Sequence, residues 1–288
     1  MASAYTLTRA NSMGFNSTKM KQKKFLEDRN SGSLSKQIKF HTGEVTKNWQ
    51  LNFGLSTTQK AVSDGSQKDT DSRAYSFSME PSFKFGNSIS LKGVLSYNSH
   101  MKNNLQNDLS DLLLSLYFLK KKVSSNLNFS PYLTSTVPLS KDSRQRQQLN
   151  FGLGGGAALS NQNGVASGML STAGSISMQK YFHRYETALN NYINTSYTSN
   201  QQISTGWEYK QFGATLLFRH INAWNYSGNM SEAFFHLQSV SWNVNNQLSF
   251  SAGHSNSGSV LSPNQEEIEI RLIDDNSSTL FISTNYIF

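Results

Sequence analysis

Apolar and polar residues alternate along most of the chain, with the period of two that is typical of β-strands. The clearest example is the segment 73–85, with the sequence RAYSFSMEPSFKF. Its odd positions from 75 to 85 are apolar or aromatic, whereas its even positions from 76 to 84 are three serines and two charged residues. Gly86 and Asn87 follow, a pair that favours a hairpin turn, and the alternation then resumes. Because no segment shows a convincing helical period of about 3.6 residues, the sequence predicts an all-β chain.

The alternating segments predict about fourteen strands, with twelve and sixteen as the alternatives. The segments lie at about 46–57, 73–85, 88–97, 111–119, 126–137, 148–159, 167–180, 185–198, 202–210, 212–224, 232–243, 246–254, 265–273 and 277–288, with weaker candidates at about 3–11 and 35–43. Most are longer than the roughly 5–6 residues of a globular strand. They approach the roughly 9–11 residues with which a tilted strand crosses a membrane.

The chain ends in TLFISTNYIF, where one face of the last strand is again apolar. That face consists of Leu280, Ile282, Tyr286 and Phe288, interrupted by Thr284. This strand resembles the carboxy-terminal signature of bacterial outer-membrane β-barrel proteins, which has a terminal Phe, an aromatic two residues earlier and apolar residues at alternate positions before it. In that class the barrel-assembly machinery recognises the strand, so the resemblance implies that these four apolar residues are an assembly signal. The resemblance extends to the class and singles out no subfamily.

The links between strands agree with such a barrel. Long polar links at about 58–72, 98–108 and 137–147 alternate with short turns at about 86–87, 120–122, 161–164 and 199–202. An outer-membrane barrel has short periplasmic turns and longer extracellular loops. Counting strands back from Phe288 places these short turns at the periplasmic end. The alternation of long links and short turns weakens near the carboxy terminus. There the longer link 255–264 falls at the periplasmic end, and the short turns near 210 and 245 fall at the extracellular end.

A soluble β-sandwich also alternates, because each of its strands buries one face and solvates the other. Strand length and the polar face, which is mostly Ser, Asn, Thr and Gly, favour a membrane barrel instead. Aromatic residues near the strand ends favour it too, since outer-membrane barrels carry aromatic girdles. These residues are Tyr97, Phe118, Tyr197, Tyr209, Trp224, Trp242, Tyr286 and Phe288. We therefore predict an antiparallel up-and-down transmembrane β-barrel over residues 35–288.

Composition narrows the remaining classes. No apolar run reaches the roughly 18–20 residues of a spanning helix, and the absence of cysteine excludes disulfides and thiol chemistry. The net charge of +8 comes largely from basic runs at 19–24, 120–122 and 141–146. No helix or aromatic platform accompanies those runs, so we expect solvated turns and no nucleic-acid partner. The amino terminus lacks the apolar core of a secretory signal, so we expect an exported chain from which the signal has been removed.

The alternation directs a set of charged side chains into the lumen. These pore-lining candidates are Glu80, Lys84, Lys92, Asp111, Glu208, Arg219, Glu267, Glu269 and Arg271. Charged rings inside a pore tune ion selectivity, while an ion-pair network that braces a narrow barrel is the alternative. Their signs are mixed, so no selectivity is predicted.

The glycine-dense stretch 151–159, FGLGGGAAL, lacks the Lys-Ser/Thr pair and the following helix of a phosphate loop. Within a strand, glycine marks a bend or a close approach of backbones. Together with the small residues of 167–180, it predicts a recess in which a polar amino-terminal segment, 12–34, packs. Residues 1–34 are accordingly predicted to be a lumen plug or, alternatively, a periplasmic segment.

The sequence favours a channel or porin-like transporter for small solutes, with outer-membrane lipid and lipopolysaccharide as its surroundings. A closed structural barrel that displays its loops to partners is the alternative. A lipid hydrolase of the outer-membrane phospholipase class is the second alternative, and the nearest motif is AGHSNSG at 252–258. That class has a Ser two residues after its His, whereas Asn256 follows His254, so no catalytic residue is predicted. No metal or cofactor motif is present either.

Overall fold

A computed structural model describes residues 48–60, 74–86, 89–100, 108–165, 167–260, 270, 273 and 278–288. The first strands in this part of the chain are β1 Trp49–Lys60, β2 Ala74–Phe85, β3 Ile89–His100, β4 Asp108–Leu109, β5 Leu112–Tyr117, β6 Lys121–Lys122 and β7 Leu127–Val137. The others are β8 Leu149–Val165, β9 Gly168–His183, β10 Thr195–Tyr209, β11 Phe212–Asn225, β12 Met230–Asn243, β13 Leu248–Ser259 and β14 Thr279–Ile287. A π-helical turn, Asp142–Arg146, lies between β7 and β8. None of the helical structure in these residues is long and apolar enough to cross a membrane.

Twelve of the fourteen described strands form a closed antiparallel barrel. The order around the wall is β1, β2, β3, β5, β7, β8, β9, β10, β11, β12, β13 and β14, and β14 returns to β1. The two-residue strands β4 and β6 pair with β3 and β7 outside this ring. Neighbours in the wall are neighbours in the chain, so the predicted all-β, up-and-down barrel is confirmed.

The first and last wall strands close the barrel. β1 and β14 pair over nine residues, from Asn52 opposite Ile287 to Lys60 opposite Thr279. The amide of Phe288 also donates to the carbonyl of Leu51 at 3.0 Å. The start of β1 and the end of β14 therefore lie at the same end of the barrel, which we call the terminal end. The opposite end is called the loop end.

Two of the predicted turns, 161–164 and 199–202, lie inside strands, because β8 runs to Val165 and β10 spans Thr195–Tyr209. The segments 185–198 and 202–210 were predicted as two strands, but β10 runs without interruption through the polar residues 199–202. Its ladder continues on both sides, with Gln201 opposite Ile176 of β9 and His220 of β11. The polar run is satisfied within the wall, because His220 Nδ1 donates to Gln201 Oε1 at 2.9 Å and Gln201 Nε2 donates to Ser199 Oγ at 2.6 Å. A polar run therefore did not mark a turn here.

A second difference removes the anomaly near the carboxy terminus. β13 pairs directly with β14, so no strand stands between them in the wall. Of the predicted strand 265–273 the structure describes only residues 270 and 273, neither of them in a strand, and the weak candidates 3–11 and 35–43 lie outside the described residues. With the corrected order, the turns at 210–211 and 244–247 lie at the terminal end. β13 ends at Ser259 and β14 begins at Thr279, both at the loop end, where the short turn 226–229 between β11 and β12 also lies.

The two faces of the wall differ in chemistry. Inward positions hold small polar residues, such as Ser56, Ser78 and Ser283, that are buried against the wall. Outward positions hold most of the exposed apolar residues, including the odd positions 75, 77, 83 and 85 of β2. The aromatics predicted to form girdles are outward, with Phe118, Tyr209, Trp242, Tyr286 and Phe288 towards the terminal end and Tyr97, Tyr197 and Trp224 towards the loop end.

Candidate pore lining

The inward face of β8 is built from glycine and small residues. Gly152, Gly154 and Gly156 all face the lumen, opposite inward residues of β7 and β9. A Cβ at Gly156 would lie 2.7 Å from the ring of Tyr132 on β7 and 2.7 Å from Cβ of Ser177 on β9. The glycines therefore let neighbouring side chains lie flat along the wall. The space above Gly156 is occupied by Tyr132, while the predicted plug, residues 1–34, lies outside the described residues.

Five of the predicted lumen charges lie on two opposite sides of the barrel. Glu80 and Lys84 are inward on β2, and Lys92 is inward on β3. Glu208 and Arg219 are inward on β10 and β11. β2 and β10 are six positions apart in a ring of twelve, as are β3 and β11, so the two groups face each other across the lumen. Each side carries both signs of charge.

The side formed by β2 and β3 presents cations to the lumen. Both Lys84 and Lys92 remain exposed although they point inside the wall. The ammonium group of Lys92 lies 5.3 Å from the centre of the Tyr117 ring, a distance at which cation and ring attract each other. Tyr117 in turn packs against Tyr132, with ring centres 5.4 Å apart. Lys92 is thus positioned along the wall by an aromatic pair.

Arg219, on the opposite side, is fixed by its neighbour in the ladder. Its Nε and Nη2 atoms both donate to Oε1 of Gln202, at 3.0 and 2.7 Å, and Gln202 lies directly opposite it on β10. Two donors on one acceptor orient the guanidinium group along the wall. Glu208 lies on β10, as Gln202 does, but at the terminal end of that strand.

Asp111 holds a loop instead of standing free in the lumen. Its Oδ1 accepts hydrogen bonds from the amides of Leu139 and Ser140, both at 3.0 Å, and its Oδ2 accepts one from Ser143 Oγ at 2.5 Å. These bonds attach the link 138–148 and its helical turn to the loop end of the wall. The remaining candidates Glu267, Glu269 and Arg271 lie outside the described residues.

An inward apolar cluster was not predicted from the sequence. It consists of Leu217 on β11, Phe235 and Leu237 on β12 and Phe281 on β14. Their exposed fractions are 1%, 3%, 3% and 8%, although they face the lumen. The consecutive aromatics in AFFHLQ, residues 233–238, are the signal that could have revealed it, since they place an aromatic on each face of β12.

His254, the histidine of the AGHSNSG motif, faces away from the lumen, as does His236 on the neighbouring strand. His236 on β12 and His254 on β13 are outward, with ring centres 6.3 Å apart. Ser239 and Ser255 belong to the opposite, inward parity of the same strands. Within the described ranges, no group of three His, Cys, Asp or Glu side chains is arranged to hold a metal ion.

The last strand presents its predicted signal residues outwards. Leu280, Ile282, Tyr286 and Phe288 are all exposed on one face of β14. The ring of Phe288 contacts those of Tyr286, at 4.6 Å, and Phe53 of β1, at 5.5 Å between ring centres. The terminal aromatic therefore lies across the seam between the first and last strands.

No family model and no curated protein sequence matches the chain. Among solved structures, it is similar to an outer-membrane channel from Pseudomonas putida F1, with a TM-score of 0.53 and 11% identity over 83% of this chain and 94% of that one. It is also similar to the NanC porin, with a TM-score of 0.52 and 10% identity over 81% of this chain and 98% of that one. These similarities show a shared barrel fold.

Proposed function

We propose that the chain is a bacterial outer-membrane channel that conducts small solutes. The observation that carries this proposal is the closed wall with a polar inward face, on which Lys84 and Lys92 remain accessible inside the barrel. A wall that served only as a scaffold would gain from filling its interior with packed side chains. The two solved structures with the same fold, one described as an outer-membrane channel and one as a porin, add support.

The barrel size is compatible with a pathway. Barrels of about eight strands are filled by their own side chains, whereas those of 16–18 strands enclose an aqueous channel. Twelve strands fall between these limits, so the small inward residues of β8 and β9 decide how much space remains. On that side Gly152 and Gly156 let the rings of Tyr181 and Tyr132 lie flat along the wall, which supports free space nearer the centre of the lumen.

Conductance across a planar bilayer tests the proposal. We expect the full chain to give discrete current steps, and a chain without residues 1–34 to give steps at least as large, because we infer that this segment plugs the lumen. Larger steps after truncation would support the plug. A folded barrel that passes no current in either form would contradict the channel.

A closed barrel that displays its loops is the second candidate, and two observations favour it. The inward apolar cluster of Leu217, Phe235, Leu237 and Phe281 is buried, and Asp111 ties the link 138–148 to the mouth of the barrel. Absence of current together with binding of a partner at the loop end would support this candidate.

We infer that the chain is not an enzyme, because its outward histidines have no serine of the same parity beside them on β12 or β13. Outer-membrane lipid and lipopolysaccharide are the proposed surroundings of the outward face. The barrel-assembly machinery is the proposed partner of β14 during insertion.

A further inference from the structure

Three lysines gather on one side of the lumen, towards the terminal end. We call them the lysine cluster: Lys84 on β2, Lys92 on β3 and Lys120 in the link between β5 and β6. All three are exposed, and β2, β3 and β5 are consecutive in the wall. The charged groups whose fields act on Lys92 are, in decreasing order, those of Lys120, Glu80 and Lys84. The three lysines are therefore close enough to act together on one ligand.

The strand register places a small residue in the middle of the lysine cluster. Ser90 of β3 is paired with Lys84 on one side and with Tyr117 of β5 on the other. Lys92 is the next inward residue along β3, and Lys120 follows Tyr117 by three residues. Lys84 and Lys92 are diagonal neighbours in their ladder, and such positions lie about 7–8 Å apart. Long lysine side chains span that distance, so the ammonium groups can converge on a ligand over Ser90.

The neighbours of the lysine cluster position it without neutralising it. The ammonium group of Lys92 lies 5.3 Å from the centre of the Tyr117 ring, which attracts a cation but does not cancel its charge. Among the residues that the structure describes, no carboxylate forms an ion pair with any of the three lysines. Glu80, two residues from Ser82 on β2, is the carboxylate whose field acts on Lys92. Three cations beside one carboxylate leave an excess of positive charge.

The opposite side of the lumen favours the same location for an anion. Glu208 is inward at the terminal end of β10, which lies across the ring from β2. Its carboxylate repels an anion that the lysine cluster attracts. The cation on that side, Arg219, lies nearer the middle of the barrel and is held by Gln202. Because a cleft with low-dielectric walls focuses such a field, counter-ions should accumulate over β2 and β3.

We propose that the lysine cluster binds multivalent organic anions, which are solutes that carry two or three carboxylate or phosphate groups. Charge-assisted hydrogen bonds to such groups are stronger than those to neutral ones. A solute with a single negative charge would leave most of the cluster unneutralised, so several charges on one molecule are favoured. Lysine recognises charge with little demand on shape, which predicts a class of solutes and not one molecule. This inference rests on the proposed function, because the channel brings the solute to the cluster.

Binding of citrate to the folded barrel in a neutral detergent tests the site without any measurement of current. Calorimetric titration at low salt should show citrate bound about tenfold more tightly than acetate, since citrate can engage several ammonium groups at once. Sorbitol, a neutral molecule of similar size, should not bind. Lys84→Gln/Lys92→Gln should weaken citrate binding by about tenfold or more, because each lysine supplies a hydrogen bond from a charged group.

The matched control is Lys121→Gln/Lys210→Gln, which removes two positive charges from the same end of the barrel. Lys121 is paired with Phe129 on the outward face of β7, and the ammonium group of Lys210 lies 5.1 Å from the centre of the outward Tyr209 ring. We expect this variant to bind citrate within about threefold of the unsubstituted chain, because charges outside the lumen are screened by solvent.

Heat-modifiable mobility shows separately that each variant is a folded barrel. No citrate binding by the folded, unsubstituted chain would overturn the proposal, as would equal weakening in the two double variants. Discrete current steps without citrate binding would overturn the lysine site and leave the channel in place. Citrate binding that depends on Lys84 and Lys92, in a barrel that passes no current, would support the site and contradict the channel.

Discussion

The ring of Phe281 lies across Gly253, its partner in the pairing of β13 with β14. A Cβ at Gly253 would come within 2.7 Å of Phe281 Cζ and even closer to the carbonyl oxygen of Gln238. Glycine is therefore needed here for the ring to lie flat on the inward wall. This contact also supports the inward apolar cluster, of which Phe281 is a member.

Gly253→Ala should destabilise the barrel, because the added methyl group displaces either an aromatic ring or the neighbouring backbone. Overpacking of this kind costs about 1–3 kcal/mol. The midpoint of unfolding in urea, followed by heat-modifiable mobility in detergent, measures the change. Gly174→Ala is the matched control, since the nearest atom to its added Cβ is 3.9 Å away. Equal midpoints for the two variants would show that Phe281 moves aside at little cost.

Asp111 should control the link 138–148 at the loop end. Removing its carboxylate in Asp111→Ala abolishes three hydrogen bonds, and a hydrogen bond to a charged group contributes about 1.5–3 kcal/mol. We expect trypsin to cleave at Lys141, Arg144 or Arg146 about tenfold faster or more, since local opening exposes these sites. Asp108→Ala, which loses a longer bond of 3.3 Å to the Lys141 amide, should have a smaller effect. Unchanged cleavage in Asp111→Ala would mean that other contacts hold the link.

The sequence predicted the architecture because alternation survives in most strands. Its errors arose where polar residues are satisfied inside the wall. Gln201 and Ser199 resemble a turn in sequence, yet they bond to each other and to His220 within the sheet. The split of β10 added one strand to the predicted wall, and the direct pairing of β13 with β14 leaves no place in the wall for a strand at 265–273, so the predicted strand directions before β10 still agree with the structure.

The inward apolar cluster could not be predicted in the same way. The alternation of apolar and polar residues tells which side chains face the lumen only if the inside of the barrel is polar throughout. β12 does not meet that condition, because its inward face carries Phe235 and Leu237. In the sequence, Phe234 and Phe235 both suit a lipid-facing position, and only the register with β11 and β13 decides between them. The positions of Lys92 and Arg219 followed from parity, whereas their partners Tyr117 and Gln202 required the pairing of strands.

The lysines inside the wall should influence ion selectivity. Lys84→Glu/Lys92→Glu reverses two charges on the β2–β3 side, and should shift the reversal potential in a salt gradient towards cation selectivity. A unit charge about 4 Å from an ion in water changes its energy by about 1 kcal/mol, which corresponds to roughly a fivefold change in permeability ratio. Lys180→Glu is the control, because Lys180 is outward and its ammonium group lies 3.8 Å from the centre of the Tyr197 ring. A shift of the reversal potential in Lys180→Glu but not in Lys84→Glu/Lys92→Glu would show that ions do not pass the β2–β3 side.

Phe288 should matter more for assembly in cells than for stability of the finished barrel. Its ring contacts Phe53 and Tyr286 at the seam, while half of its surface remains exposed. Phe288→Ala is therefore expected to reduce folded barrel in cell membranes severalfold, yet to refold in detergent almost as well as the unsubstituted chain. Phe250→Ala, an exposed aromatic at the same end of β13, is the matched control and should assemble normally in both settings. Comparison of the heat-modifiable fraction in membranes and after refolding separates recognition from packing. An equal loss of folded barrel in cells and in detergent would show that Phe288 acts by packing between β1 and β14. Normal assembly of Phe288→Ala in cells would show that Phe288 is not part of the assembly signal.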